Sequence, residues 1–380
     1  MDRSQQFKHF HQQPLAGGSL SNWLRMLAEN RFQVSPLYLP RALYVSLLST
    51  VTALPRLVEH RYDDAVAEQE VKPVFIVGHF RSGTTFLHTL LGHDPAMAYM
   101  STFQTMLPGN FIYRAGLFKR ILADSLPETR PMDNVEMAAD YPYEEEYAVA
   151  NVCPYSFYHG WYFPRRMRYY FDRYALMQAP HREIERWKTT YDYLLRKVAY
   201  AWGQPRVLLK NPCNTARVKE LLDIYPDAKF VHIYRNPYHV FFSTKRLYEN
   251  ILPLYALQEF DMDQVVEDIL YCYRAMHDRF FSQRSRIPDG NLVEICYEDF
   301  VSAPLATLRD IYEALELPSF DRAEQPLSDY IASQRDYTPR CYDISRELQE
   351  RIYDHWHATI DRWGYEPEGR KKEAVVVQTV

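Results

Sequence analysis

The chain has 380 residues, 47% of them hydrophobic, enough to bury a large core in one large domain or two smaller ones. Its 44 basic and 49 acidic residues leave a net charge of −5, which excludes a whole-protein basic field of the kind that holds nucleic acid, so any anion must be held by a local cluster. Five cysteines (Cys153, Cys213, Cys272, Cys296 and Cys341) are odd in number and lack CxxC spacing, which argues against a disulfide framework or a zinc knuckle and fits reduced thiols in a cytoplasm.

The first residues include Asp2, Arg3, Gln5 and Gln6 and no apolar h-region, so the expectation is a cytoplasmic protein without a secretory signal. Residues 1–72 read as a helical extension packed on the core. Within it, Ala42–Pro55 carries no charge but covers only about fourteen residues, against the roughly 20 needed to cross a bilayer. A buried helix is expected there. The alternative is an interfacial helix at the inner face of a membrane, with Arg41 and Arg56 at its ends.

The most informative segment follows. Val74–Val77 reads as a buried strand, Gly78 to Gly83 as a tight loop, and the residues through Leu91 as an amphipathic helix. This is the spacing of a phosphate cradle, in which backbone N–H groups and a helix N-terminus face an anion. Thr84 stands where an ATPase would carry its phosphate-gripping lysine. The loop's cation is Arg81 instead, and Ser82, Gly83, Thr84 and Thr85 complete the set.

From about 100 to 202 no convincing strand is found, and the segment is dense in aromatic residues and arginine, so it reads as a helical insertion over the active site. Asp140-Tyr-Pro-Tyr-Glu144-Glu145-Glu146 within it reads as a helix start, with Pro142 at the first position and acids complementing the dipole. Further strands are expected at Val207–Leu209, Phe230–Tyr234 and Leu292–Tyr297, each buried and parallel, with helices at Thr215–Tyr225, Val265–Arg284 and Pro304–Leu315. The alternation predicts an α/β fold, a P-loop-type doubly wound parallel sheet flanked by helices, with ligands at the C-terminal ends of the strands. Lys210 leaves the second strand. Arg235 leaves the third, with Ser243 two turns into the next helix. Residues 370–380 read as a frayed tail.

With Arg81-Ser-Gly-Thr-Thr after the first strand, Lys210-Asn-Pro after the second and Arg235 followed by Ser243 after the third, the chain resembles the sulfotransferases over roughly Pro73 to Leu317. The resemblance is to the subfamily of the tyrosylprotein enzymes and many bacterial lipid and sterol sulfotransferases. It implies a donor, 3′-phosphoadenosine-5′-phosphosulfate, used without a metal and leaving adenosine 3′,5′-bisphosphate. It also implies that Arg81 to Thr85 cradle the phosphosulfate, that Arg235 and Ser243 hold the 3′-phosphate, and that Lys210 bridges the sulfate and the leaving oxygen. The acceptor hydroxyl needs a base. Tyrosylprotein sulfotransferases place a glutamate shortly after the loop's helix, but Asp94 to Leu107 contains none here. Glu144 is the first candidate, because related bacterial sequences carry a Pro-x-Glu-x-Glu motif at this place; Glu146, His79 and His159 follow. His79 is alternatively a loop-packing residue or a second donor to the sulfate.

The 31 tyrosines, 20 phenylalanines and 6 tryptophans suggest an apolar acceptor such as a lipid, sterol or prenyl alcohol, with carbohydrate or protein tyrosine still open. Two rival functions stay open: a P-loop kinase-like transferase, and a non-catalytic lipid-binding protein on the same fold. The oligomeric state is not legible.

Overall fold

The computed structural model describes residues 13–127, 137–318, 320–333 and 345–366. Five strands form one parallel sheet: β1 (Lys72–Val77), β2 (Ala98–Tyr99), β3 (Arg206–Lys210), β4 (Lys229–Tyr234) and β5 (Leu292–Cys296), in the order β2-β3-β1-β4-β5. Because side chains alternate along a strand, each central strand supplies two cores. Phe75, Val77, Val207, Leu209 and Phe230 enter the larger one; Val74, Ile76, Leu208, Val231 and Ile233 enter the other, on the opposite face. Apolar runs without alternation are therefore what a sheet covered on both sides requires.

The helices that matter here are α1 (Leu20–Glu29), α2 (Leu39–Val51), α3 (Ala53–Glu59), α4 (Thr84–Leu91), α5 (Ala115–Ala123), α6 (Glu145–Val152), α7 (His181–Trp202), α8 (Val218–Ile224), α9 (Pro237–Tyr255), α10 (Met262–Gln283) and α11 (Pro304–Ala314). Their starts follow local chemistry. Ser19 caps α1 through the N–H of Asn22, Asn236 caps α9 with Pro237 at its first position, and Asp261 caps α10 through Asp263.

Several expectations change. β2 was not anticipated: two residues without an apolar run give no periodic signal, and the strand exists because Ala98 and Tyr99 pair with Val207 and Leu208. β5 is an edge strand and only half-buried, and Tyr297 already belongs to the next helix. The single helix expected from Thr215 to Tyr225 is split into a 3₁₀ turn, Pro212–Ala216, and α8, with Arg217 between them at φ −114°. Pro142 does not begin α6; it pairs with Ser101 in an isolated antiparallel bridge, and the helix starts three residues later.

The segment Ala42–Pro55 also differs. Arg41, Ala42, Val45 and Ser49 are buried, but Leu43 and Leu47 are 68% and 62% exposed, so the helix is buried on one side only. The helical run around it, Pro36–Ala67, is long and apolar enough by length and composition to cross a membrane, more than the charge-free segment suggested. Cys153, Cys213 and Cys272 are free and buried, and Cys296 is free and half-buried. Cys341 and the tail 370–380 lie outside the described residues.

Candidate active site

β1, β3 and β4 lie side by side at the centre of the sheet, so the residues at their C-terminal ends meet where the strand order reverses. The loop after β1 can close only on glycine. Gly78 and Gly83 sit at φ +148° and +94°, and a Cβ would strike the Ile233 carbonyl at the first and the Tyr297 ring at the second. Arg81 takes φ +69° without being glycine, a conformation that costs roughly 1–2 kcal/mol. Its Nε donates to Ser243 Oγ of α9 at 2.9 Å, which offsets that cost. Gly78 N–H donates to Thr215 Oγ1 at 2.7 Å and Ser82 N–H to the His79 carbonyl at 3.2 Å, pinning the turn. Thr84 and Thr85 open α4, whose first N–H groups have no intrahelical acceptor.

Arg235, at the end of β4, donates to the Arg81 carbonyl at 3.3 Å and stacks 4.3 Å from the centre of the Tyr297 ring. Its Nε is buried without a hydrogen-bond partner among the described residues. An orphaned guanidinium N–H near Ser243 is what a bound anion would satisfy, so Arg235 and Ser243 fit a phosphate group, with the Arg81 loop alongside.

Lys210, at the end of β3 and 1% exposed, joins the other half. It donates to Thr85 Oγ1 at 3.3 Å and to Glu144 Oε1. Tyr158 O–H donates to the second oxygen, Oε2, of the same carboxylate. Glu144 holds the N-cap position of α6, but its side chain makes no cap bond; it reaches into the site. Burial and the Glu144 charge together push the Tyr158 phenol well above its ordinary value, so it stays a donor.

The other candidates lie differently. Glu146 is fully buried and paired with Arg217 at 2.6 Å, and accepts from Asn211 and Ser156 at 2.7 Å each. Burial alone would raise its pKa; the Arg217 charge and these bonds outweigh that and hold it below 4.5. Glu145 accepts from Tyr191 and Asn214, and burial pushes it up to about 7. His79 is 2% exposed, with Nδ1 2.9 Å from the Phe80 carbonyl and its ring beside Tyr273 and His277; burial lowers its pKa to about 4. Those are the contacts of the loop-packing alternative. His159 is buried with Nε2 2.9 Å from the Ala150 carbonyl, and burial lowers its pKa as well.

The sequence reading overlooked Tyr158 and the polar set Asn211, Asn214 and Arg217. The second group had a signal: amides and an arginine directly after a fully buried strand need partners of their own. Tyr158 had none, being one aromatic among many.

The model of the sulfotransferase family matches residues 73–322. This chain belongs to the sulfotransferase family. The sulfotransferase is 31% identical over 353 residues to omega-hydroxy-beta-dihydromenaquinone-9 sulfotransferase Stf3 of Mycobacterium bovis, covering 92% of this chain and 90% of that one. Its fold is similar to that of sulfotransferase STF9 from Mycobacterium avium, with TM-score 0.67, 19% identity and coverage of 89% of this chain and 88% of that one. STF1 from Mycobacterium tuberculosis H37Rv gives TM-score 0.61 at 19% identity, covering 89% and 92%. Membership makes this an enzyme that transfers sulfuryl groups, and so sets aside the kinase and the non-catalytic lipid-binding alternatives.

Proposed function

We propose that this sulfotransferase moves a sulfuryl group from 3′-phosphoadenosine-5′-phosphosulfate to the hydroxyl of an apolar lipid alcohol, in the cytoplasm and without a metal. The catalytic domain would span residues 73–369, with 1–72 as an extension. The observation that carries this reading is Lys210, which holds the donor loop through Thr85 and the base candidate Glu144 at once. Arg81, Ser82, Gly83, Thr84 and Thr85 would hold the phosphosulfate, and Arg235 and Ser243 the 3′-phosphate. In transfer the acceptor oxygen bonds to sulfur as the bond from sulfur to the phosphate oxygen breaks. The acceptor proton passes to Glu144, and Lys210 offsets the charge left on the departing oxygen.

Two observations support the acceptor class. Phe80 of the loop, Phe157, Tyr158 and Trp161 form one buried aromatic cluster beside Glu144, with Tyr158 and Trp161 stacked at 3.9 Å. Stf3 is named for a menaquinone-derived lipid carrying a hydroxyl, and the similarity runs over nine-tenths of both chains.

Titration calorimetry with adenosine 3′,5′-bisphosphate tests the donor: binding without magnesium is expected, and a preference for magnesium-ATP would sink the reading. In the same assay Arg235→Ala should weaken that ligand by about 2–3 kcal/mol while hardly changing an analogue without the 3′-phosphate. Equal losses would place Arg235 elsewhere. Lys210→Ala should lower kcat by on the order of 10²-fold with donor affinity nearly unchanged, because its charge is needed most in the transition state. Steady-state kinetics with labelled donor and a lipid extract would measure that loss and identify the acceptor together.

A further inference from the structure

Among the described residues, nothing covers one side of α2 and α3. Leu39, Leu43, Leu47 and Val51 follow at four-residue steps, and Leu54 and Leu57 continue onto α3; all are between 48% and 74% exposed. That spacing is one stripe on a helix. Exposed leucines scattered singly would need no explanation, but these are not scattered. Among the described residues, eight of the large exposed hydrophobics lie between Leu24 and Leu57 and two more, Leu117 and Ile121, on α5, against three elsewhere.

These elements adjoin one another. Trp23 Nε1 of α1 donates to Ser46 Oγ of α2 at 2.8 Å. Glu59, at the end of α3, accepts the N–H groups of Phe111, Ile112 and Tyr113 at 3.0 to 3.2 Å, so the chain that leads into α5 starts where α3 stops.

The stripe itself is flanked mainly by cations, and the acids Glu29, Asp63, Asp64 and Asp124 stand just beyond its ends. From Arg31 to Tyr62 the single acid is Glu59, 3% exposed and turned inward to those N–H groups and to Lys197, while Arg31 and Arg61 are exposed. Arg114 and Arg120 add exposed positive charge at α5, and no acid occurs between Gly109 and Ala123. An apolar stripe with a cationic rim matches the boundary between headgroups and acyl chains of an anionic bilayer. A second copy of this chain would bring the same exposed arginines, Arg31, Arg61, Arg114 and Arg120, towards one another.

The run also cannot be surrounded by lipid while the rest of the fold stands. Arg41 reaches the Pro253 and Ala256 carbonyls at 2.6 and 2.9 Å, and Val45 is completely buried against the protein. Against a bilayer these helices would have to lie in its plane.

We propose that the bare side of α1, α2, α3 and α5 docks this enzyme on an anionic lipid bilayer. The face is tied to the catalytic region: Asn22 of α1 donates to the Ala150 carbonyl and Ser19 N–H to the Asn151 carbonyl, both at 2.8 Å, and α6 carries Glu144 at its start. A membrane-resident alcohol could then reach the site without entering water. Docking stands on the surface alone; only this route rests on the lipid-acceptor reading.

Sedimentation of the full chain with vesicles of phosphatidylcholine, with and without phosphatidylglycerol, is the test. Pelleting with the anionic vesicles, weakened by salt, is expected. Leu47→Glu should weaken it about tenfold or more, the factor for one leucine side chain that no longer leaves water, while transfer to a soluble phenol and the circular dichroism spectrum stay unchanged. Equal pelleting of both proteins would overturn the proposal, as would a dimer in sedimentation velocity that Leu47→Glu converts to a monomer. If that variant unfolds, Arg31→Glu with Arg61→Glu decides: lost preference for anionic vesicles supports docking, and unchanged preference overturns it. Docking by a chain that binds no adenosine 3′,5′-bisphosphate supports the face and overturns only the donor reading.

Discussion

Glu144→Gln is expected to lower turnover on an aliphatic alcohol by roughly 10²–10⁴-fold, the range for loss of a positioned general base. Glutamine keeps the length and most of the packing of the side chain, and its carbonyl oxygen can still accept from Lys210 or Tyr158, so the site should survive the change. It cannot take a proton. Donor affinity, read by calorimetry, should hardly move, since Arg81, Arg235 and Ser243 are untouched. The kinetic loss should shrink with an acidic phenol acceptor, whose proton leaves with little help. Near-normal turnover on the aliphatic alcohol would reduce Glu144 to a helix-start residue and a partner for Lys210. Glu145 would then come under test, because burial pushes it up to about 7 one position further on.

Arg217→Met should destabilise the fold by about 3–5 kcal/mol, read as a shift in the urea midpoint at unchanged slope. Both members of the Arg217–Glu146 pair have fully buried side chains, and Arg217 also donates twice to the Tyr174 carbonyl, at 2.9 and 2.7 Å. The methionine variant leaves a carboxylate in the core without its cation. Its pH dependence gives the sign. In the native protein Glu146 is held below 4.5, so its contribution is complete above that value and is lost as the pH falls through the lower folded value. Without Arg217, burial raises the pKa instead, and stability should fall as the pH rises through the ordinary carboxylate value. Glu146→Gln in the same chain should recover much of the loss. If Arg217→Met costs less than about 1 kcal/mol, the pair does not hold the start of α6 against β3.

Features that depend on backbone periodicity and on residues close in the chain were readable from the amino-acid order. The glycine loop was legible because Gly78 and Gly83 must take left-handed angles at fixed positions before a helix. The central strands were legible because a strand buried on both faces needs an unbroken apolar run, and Lys210 and Arg235 because each follows such a run directly. Family resemblance singled out Glu144 among three acids; spacing alone did not. Which way that side chain points is settled by long-range packing. Its partner, Lys210, lies 66 positions away, and the packing of the aromatic insertion, with no local period to announce it, brings them together. The same holds for β2, which is a strand only because β3 offers it hydrogen bonds, and for the turn at Arg217, set by a buried carboxylate on another helix. The bare side of α2 was hidden for a related reason: composition shows that a helix is apolar, but which of its faces the rest of the protein covers is fixed by packing alone.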